Sequence, residues 1–338
     1  YREVFRDTSG DGQYVHLSPM ESGNYTISFF SLGSAFATDN DAHISKIFEA
    51  FGNNRAGVSQ ELADEYSQRN PGASNPIQGF GNTSQEVLIP AFLEAYGGVS
   101  SSTVLFDPFM KVPKPNWRVT YDGLTQIPWF NKRFKRVTVG HGYRSTFSIS
   151  SYETNLLYDD PNNEGYTEVT DINGNYLSKY TINQVVISEQ LSPLIKVDMT
   201  WKNSLITRFE IKKTRNLTMS FTNNQLTEVR GNELIIGGGY RLKDVKIPIQ
   251  SKGKPKELKS DLNVKADFSI RSNTTIVRKL VEETNTPLKG QRILSISVTA
   301  DYAINRRFNI QAFYKRTGTK PFVSNLFNTS QSNAGITV

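Results

Sequence analysis

Cysteine is absent from the 338 residues, so the chain can form neither a disulfide framework nor a cysteine-based zinc site. Histidine is scarce, occurring only as His16, His43 and His141, which leaves histidine-dependent catalysis few candidates. Long apolar runs are lacking too: no stretch approaches the roughly 20 consecutive apolar residues that a membrane helix requires. A helical membrane protein is thereby excluded. A membrane β-barrel is not, because residues facing its lumen dilute the hydropathy of each strand. Tyr1-Arg2-Glu3-Val4-Phe5 show no charged region followed by an apolar one, so no signal peptide is visible. An exported protein needs one, and the expectation is a piece of a longer chain; Gly335-Ile336-Thr337-Val338 reads as a strand cut short.

What is present favours strands. Hydrophobic residues make up 37%, with 20 Phe and 15 Tyr, and Thr, Ser, Asn and Gly are abundant, a mixture suited to sheets with one apolar and one polar face. The net charge of +7 permits contact with anionic surfaces such as lipid or lipopolysaccharide. Because the lysines and arginines are spread among strands, they read as a solvated face, and nucleic acid is not expected as a partner.

Side chains alternate between the faces of a strand, so a membrane strand shows apolar residues at every second position over about 9–11 residues. Leu205 to Thr222 is the clearest case. Leu205, Phe209, Ile211, Leu217, Met219 and Phe221 share one parity, and Ile206, Arg208, Glu210, Lys212, Thr214, Asn216, Thr218 and Ser220 the other. Lys213 and Arg215 interrupt the apolar side, which suits a strand extending past a lipid band or side chains snorkelling to its edge. Val137 to Ile149, Leu262 to Ile270, Leu294 to Tyr302 and Phe308 to Tyr314 alternate likewise, with weaker matches at Tyr25–Ala37, Trp117–Tyr121, Ile195–Trp201 and Leu234–Leu242. About ten strands are expected. The residues predicted to face lipid are Phe209, Ile211, Leu217, Met219, Phe221, Val264, Phe268, Ile296 and Val298.

Trp201-Lys202-Asn203-Ser204 and Ala303-Ile304-Asn305-Arg306 are short enough for hairpin turns. Long connections are expected at 38–115, 151–180, 272–290 and 318–332, and a further loop at 243–260 fits poorly because it falls on the short-turn side. Three regions follow: a loop and first strand at 1–37, a partly helical insertion at 38–115, extracellular or lumen-facing, and antiparallel barrel strands at 116–338. Within the insertion, Ile44, Ile47, Phe48 and Phe51, then Val58, Leu62 and Tyr66, have helical spacing before Asn70-Pro71 ends the second run.

No catalytic, cofactor or metal residue is assigned. His141 and Ser145 share a face of one strand but sit about 13 Å apart, too far for a nucleophile and its base. Asp171-Ile172-Asn173-Gly174-Asn175 begins like a calcium loop, lacks the distal Glu, and is more simply a hairpin turn. The cluster Asp159-Asp160-Pro161-Asn162-Asn163-Glu164 reads as a solvated loop, as does the basic Lys252-Gly253-Lys254-Pro255-Lys256. Gly237, Gly238 and Gly239 stand inside a strand without phosphate-loop context, leaving a strand bend or a partner contact as their reading.

Several strings carry a family resemblance. Asn116-Trp117-Arg118-Val119-Thr120-Tyr121-Asp122-Gly123-Leu124 and Gly140-His141-Gly142-Tyr143-Arg144-Ser145-Thr146 resemble the C-terminal part of the SprA/Sov family of outer-membrane translocons, of the Bacteroidetes type IX secretion system. Thr214-Arg215-Asn216-Leu217-Thr218-Met219-Ser220-Phe221 and Tyr302-Ala303-Ile304-Asn305-Arg306-Arg307-Phe308-Asn309-Ile310 extend it over roughly residues 110–338, with 1–109 attached by continuity. The resemblance implies a single-chain barrel of about 36 strands, a figure that belongs to the family and is not read from these residues. It further implies a lumen passing folded cargo proteins to the cell surface, a PorV-type barrel and a plug protein as partners, a lateral opening, gliding motility in some species, and no catalytic residues.

The expected fold is therefore all-β, an antiparallel transmembrane barrel wall with a partly helical insertion, completed by the rest of a longer chain. Its expected place is the bacterial outer membrane, and its expected role protein secretion without enzymatic activity. The rivals are a plug-gated nutrient receptor, an outer-membrane lipase or protease, and a soluble secreted adhesin.

Overall fold

The computed structural model describes residues 2–7, 14–40, 43–72, 76–160, 165–251, 254–304, 308–323 and 326–337. Parts of the 159–164 cluster, the tip at 252–253, and Asn305, Arg306, Arg307 and Val338 therefore lie outside the described residues.

Antiparallel sheet dominates. A small hairpin, β1 (Arg2–Asp7) with β2 (Tyr14–Met20), precedes an 11-stranded sheet. The large sheet is a meander: β13 (Thr329–Thr337), β12 (Asn309–Pro321), β11 (Thr284–Ala303), β10 (Lys254–Lys279), β9 (Gln225–Ser251), β8 (Leu205–Ser220), β7 (Gln184–Trp201), β5 (Phe134–Thr154) and β3 (Ser22–Ser28) lie side by side. Short strands β4 (Trp117–Tyr121) and β6 (Tyr180–Ile182) also pair with β5. The sheet is open, with β13 at one edge and β3 and β4 at the other.

β3 and β4 behave as one broken strand. β3 pairs with Thr146–Glu153 of β5 and β4 with Val139–Tyr143, end to end along β5. The residues between them leave the sheet at this break and return to it. At the neck, Phe29 N donates to the Ser145 carbonyl at 2.9 Å, Ser145 N donates to Asn116 Oδ1 at 2.8 Å, and Lys114 N donates to the Ser28 carbonyl at 3.0 Å.

The helices of this insertion differ from expectation. Ser45 caps α1 (Lys46–Arg69), and the two expected helical runs are one 24-residue helix whose buried stripe is Phe48, Phe51, Val58, Leu62 and Tyr66. A second helix, α2 (Gln85–Gly97), has no counterpart in the sequence reading. Val87, Leu88, Ile89, Ala91, Phe92, Leu93 and Tyr96 are all buried, so it is apolar nearly all round and shows no amphipathic period. Gly98, at φ +61°, ends it in the left-handed conformation that glycine adopts without strain.

Three expected loops are corrected. Segment 243–260 is the continuation of β9 and β10 into one long hairpin, with Lys254 opposite Ser251 and an irregularity between Ser260 and Leu262. Segment 272–290 is mostly strand, since β10 runs to Lys279 and β11 starts at Thr284. Segment 318–332 shortens in the same way, with β12 ending at Pro321 and β13 starting at Thr329. Conversely, the strand expected at Tyr25–Ala37 ends at Ser28 and gives way to a 3-10 turn at Leu32–Ser34.

Candidate functional site

Residues directly opposite one another in an antiparallel pair share a face, so the register sorts the sheet into two surfaces. On one surface apolar residues stand in rows. Ile211, Leu234, Ile270 and Leu294 are in register, as are Phe209, Ile236, Phe268 and Ile296, and below them Leu205, Tyr240, Val264, Ala300 and Ala312. Val298 lies in the intervening row with Ala266, Gly238 and Tyr314. The band is uncovered: Ile236 is 47% exposed, Tyr240 43% and Leu294 40%. Such a contiguous apolar surface marks contact with something other than water.

Both borders of the band are chemically distinct. Toward the insertion the next register row is Lys213, Asn232, Ser272, Arg292 and Lys320. At the opposite end stand aromatic residues: Phe134 packs on Trp201 with ring centres 4.2 Å apart, Trp201 Nε1 donates to Thr207 Oγ1 at 3.0 Å, and Tyr240 on β9 and Tyr302 on β11 stand on either side of β10. Trp129, on the short helix α3 (Pro128–Arg133), adds a ring under the Arg133 guanidinium at 4.6 Å.

The opposite surface is polar. Glu210 pairs with Arg208 and, at 3.7 Å, with Lys212, which also reaches Glu233; Arg271 pairs with Glu233 at 2.9 Å and Lys196 with Asp198 at 2.7 Å. Lys265, Asp267, Ser269, Ser295 and Ser297 continue it. Gly237 and Gly239 belong here and Gly238 to the apolar side, and the register passes through all three without a break. No β-bulge bends the strand there. Instead Gly237 leaves room for Asp267, whose Oδ1 would be 2.4 Å from an added Cβ.

The insertion covers the apolar-banded surface beyond the polar border row. Phe147, Ile149, Val185, Ile187, Leu217, Met219 and Leu226 from the sheet, with Leu280 from the turn after β10, join the buried residues of α1 and α2 in one core. This corrects part of the expected lipid face. Leu217 and Met219 are fully buried beneath the insertion and Phe221 packs against the same core, whereas Phe209, Ile211, Val264, Phe268, Ile296 and Val298 lie on the uncovered band.

Arg215 does not snorkel. It is 4% exposed, pairs with Glu189 at 3.0 Å, and donates to the Ser34 carbonyl at 2.6 Å. Beside it, Arg278 is fully buried and binds Glu228 at 2.9 Å, Asp39 at 2.7 Å and the His43 carbonyl at 2.6 Å, while Arg230 bridges Glu228 and Asp39. Buried charges persist only when paired and hydrogen-bonded, and here each arginine reaches from the sheet to residues 31–43. Periodicity revealed none of this, because charged residues on a buried face look like a solvated face. Lys213 takes a different course, its ammonium lying 4.6 Å over the Phe36 ring.

Away from the apolar band, titration is shifted in the insertion and on β6 beside it. Burial raises the Glu86 carboxyl, a hydrogen bond from Ser178 partly offsets this, and the Asp107 charge adds to the rise. The Tyr180 hydroxyl is pushed up to about 12 by burial and by its hydrogen bond to Glu21.

The chemical candidates are structural. His141 Nδ1 donates to the Leu194 carbonyl at 2.6 Å, and Ser145 Oγ lies 3.0 Å from Ser31 Oγ in the neck. Asp171 Oδ1 accepts from Asn173 N and Asn175 N around Gly174 at φ +82°, forming the expected turn. Among the described residues no group of three or more His, Asp or Glu is placed to hold a metal. Compared with known proteins, the chain matches no family model and no curated protein.

Proposed function

We propose that this chain forms part of the wall of an outer-membrane β-barrel, and that the barrel conducts folded cargo proteins to the cell surface in type IX secretion. The membrane half of this reading rests on one observation: apolar side chains stand in register across β8–β11 on one surface, bordered by aromatic and by polar rows, while the other surface carries ion pairs. From Leu262 to the border residue Ser272 a strand rises about 34 Å, which at a tilt of about 40° gives a band about 26 Å tall, close to the ~25 Å of outer-membrane barrels. A helical span is not needed, and none of the described helices is long and apolar enough to cross a membrane.

An open sheet leaves strand edges that hydrocarbon does not tolerate, so further strands must complete the wall, and we assign them to the rest of a longer chain. The docked insertion then sits on the outer side of the wall beyond the hydrocarbon, with the long connections. The secretion half rests on the resemblance of the strands to the SprA/Sov family, and with it come a PorV-type barrel, a plug protein and secreted cargo as partners. Transport through such a wall needs no catalytic group; the polar surface supplies a wetted passage.

Depleting the full-length gene product in its native cell tests the reading. Secreted proteins are expected to accumulate in the periplasm while uptake of small nutrients continues. Normal secretion with loss of one nutrient's uptake would overturn it in favour of a nutrient receptor.

A further inference from the structure

Arg292 on β11 and Lys320 on β12 are directly opposite each other on the apolar-banded surface. Like charges so placed repel and destabilise the sheet. Both side chains are exposed, and among the described residues neither has a carboxylate within ion-pair distance. A third cation, Arg316, is also exposed on this surface of β12, its Nε 3.4 Å from Ser330 Oγ on β13. Between Lys320 and Arg316 stands Gly318, opposite Leu294 on one side and Ser330 on the other. A Cβ added at Gly318 would meet nothing within 4 Å, so the backbone there is an open floor. Three cations and a serine hydroxyl thus ring a bare spot.

Among the described residues no acid balances them. On this surface β10 presents Leu262, Val264, Ala266, Phe268, Ile270, Ser272 and Thr274, and β11 presents Leu294, Ile296, Val298, Ala300 and Tyr302 beyond Arg292. β13 presents Ser330, Ser332, Ala334 and Ile336. The cations also sit where the apolar band stops. Register rows run across the strands, so in a tilted sheet the border crosses them obliquely, from Arg292 on β11 to Arg316 on β12 and Ser332 on β13.

An anion with an apolar body satisfies all of this. We propose that Arg292, Lys320 and Arg316 bind the phosphate of a membrane glycolipid headgroup over Gly318, with its acyl chains lying along Leu294, Ile296 and Phe268. Guanidinium groups suit phosphate because their donors match its oxygens, and an anion between Arg292 and Lys320 turns their repulsion into shared attraction. The site rests on the membrane reading above and adds a ligand to it.

The test is native mass spectrometry of the full-length protein in detergent, with lipid A, its dephosphorylated form and inorganic phosphate as probes. Incorporation into lipid nanodiscs is measured separately, so that a soluble protein, which would end the membrane reading, is told apart from a membrane protein that lacks this site. The wild type is expected to retain lipid A at least tenfold better than its dephosphorylated form. Arg292→Gln/Lys320→Gln/Arg316→Gln is expected to lose that preference, and Lys265→Gln/Lys315→Gln on the polar surface to keep it. Lys320→Gln alone relieves the like-charge pair, so it is expected to fold at least as stably while weakening retention. Equal retention by the triple variant would overturn the site. So would nanodisc incorporation without any preference for the phosphorylated lipid, or displacement by inorganic phosphate alone.

Discussion

Arg278 on β10 and Glu228 on β9 form an ion pair at 2.9 Å that is shut off from solvent, and the same guanidinium holds Asp39 at 2.7 Å in the insertion. Removing one partner of a buried pair leaves an uncompensated charge and costs about 3–5 kcal/mol. Arg278→Ala is therefore expected to loosen the insertion from the sheet more than to unfold the strands. Limited proteolysis checks this: cleavage within 38–115 should appear at protease levels that leave the wild type intact, and unchanged resistance would show that the apolar core alone docks the insertion.

The apolar band makes a second prediction. On the membrane reading proposed above, Phe209→Lys, Phe268→Lys and Ile296→Lys place a charge in hydrocarbon, at a cost of about 2–4 kcal/mol each near the bilayer midplane. Assembly into the outer membrane, followed by heat-modifiable mobility on gels, should fall for these and change little for Ser269→Lys or Thr218→Lys on the other surface. Leu217→Lys should also fail, but by burying a charge in the core beneath the insertion, and its defect should appear as exposure of the insertion to protease.

Two glycines separate close packing from open space. A Cβ on Gly97 would lie 2.0 Å from Phe29 Cζ, a ring buried at the neck, whereas one on Gly57 in α1 would meet nothing within 4 Å. Gly97→Ala should therefore lower thermal stability. Gly57→Ala should raise it by about 0.5–1 kcal/mol through helix propensity, as read by denaturant unfolding of the insertion.

Glu86 gives the insertion a pH dependence. Because its carboxyl is raised in the folded state, chiefly by burial, its contribution to stability is complete below the ordinary glutamate range and is lost as pH rises through the raised value. Glu86→Gln should flatten that fall, giving a more stable insertion at neutral pH and little change in acid. Melting curves from pH 4 to 8 check it; parallel curves for both proteins would contradict it.

The sequence was legible where one face of a strand joins the apolar band and the other carries polar residues. Leu262–Ile270 and Leu205–Ile211 alternate because one side lies in the band. Farther along the same strands the faces still alternate but polarity does not: Glu228, Arg230 and Arg278 point toward the insertion, so 272–279 reads as loop and no strand is expected over 225–233, while the backbone stays extended. α2 escaped for the opposite reason, being apolar on every side and interrupted by Pro90. The ionic contacts that hold residues 31–43 against the sheet join positions nearly 200 or more residues apart, such as Arg278 and Asp39, and no local pattern encodes them.

Whether the apolar band meets hydrocarbon is tested most directly by scanning β10 with single cysteines from Leu262 to Thr274 in the full-length protein, since this chain contributes no cysteine of its own. Each site carries a nitroxide label in lipid bilayers, and its accessibility to oxygen, which concentrates in lipid, is compared with that to a water-soluble nickel chelate. A two-residue alternation is expected, with Val264, Phe268 and Ile270 favouring oxygen and Lys265, Asp267 and Ser269 favouring the chelate. Access to the chelate on both surfaces, or oxygen preference on the Asp267 side, would contradict it.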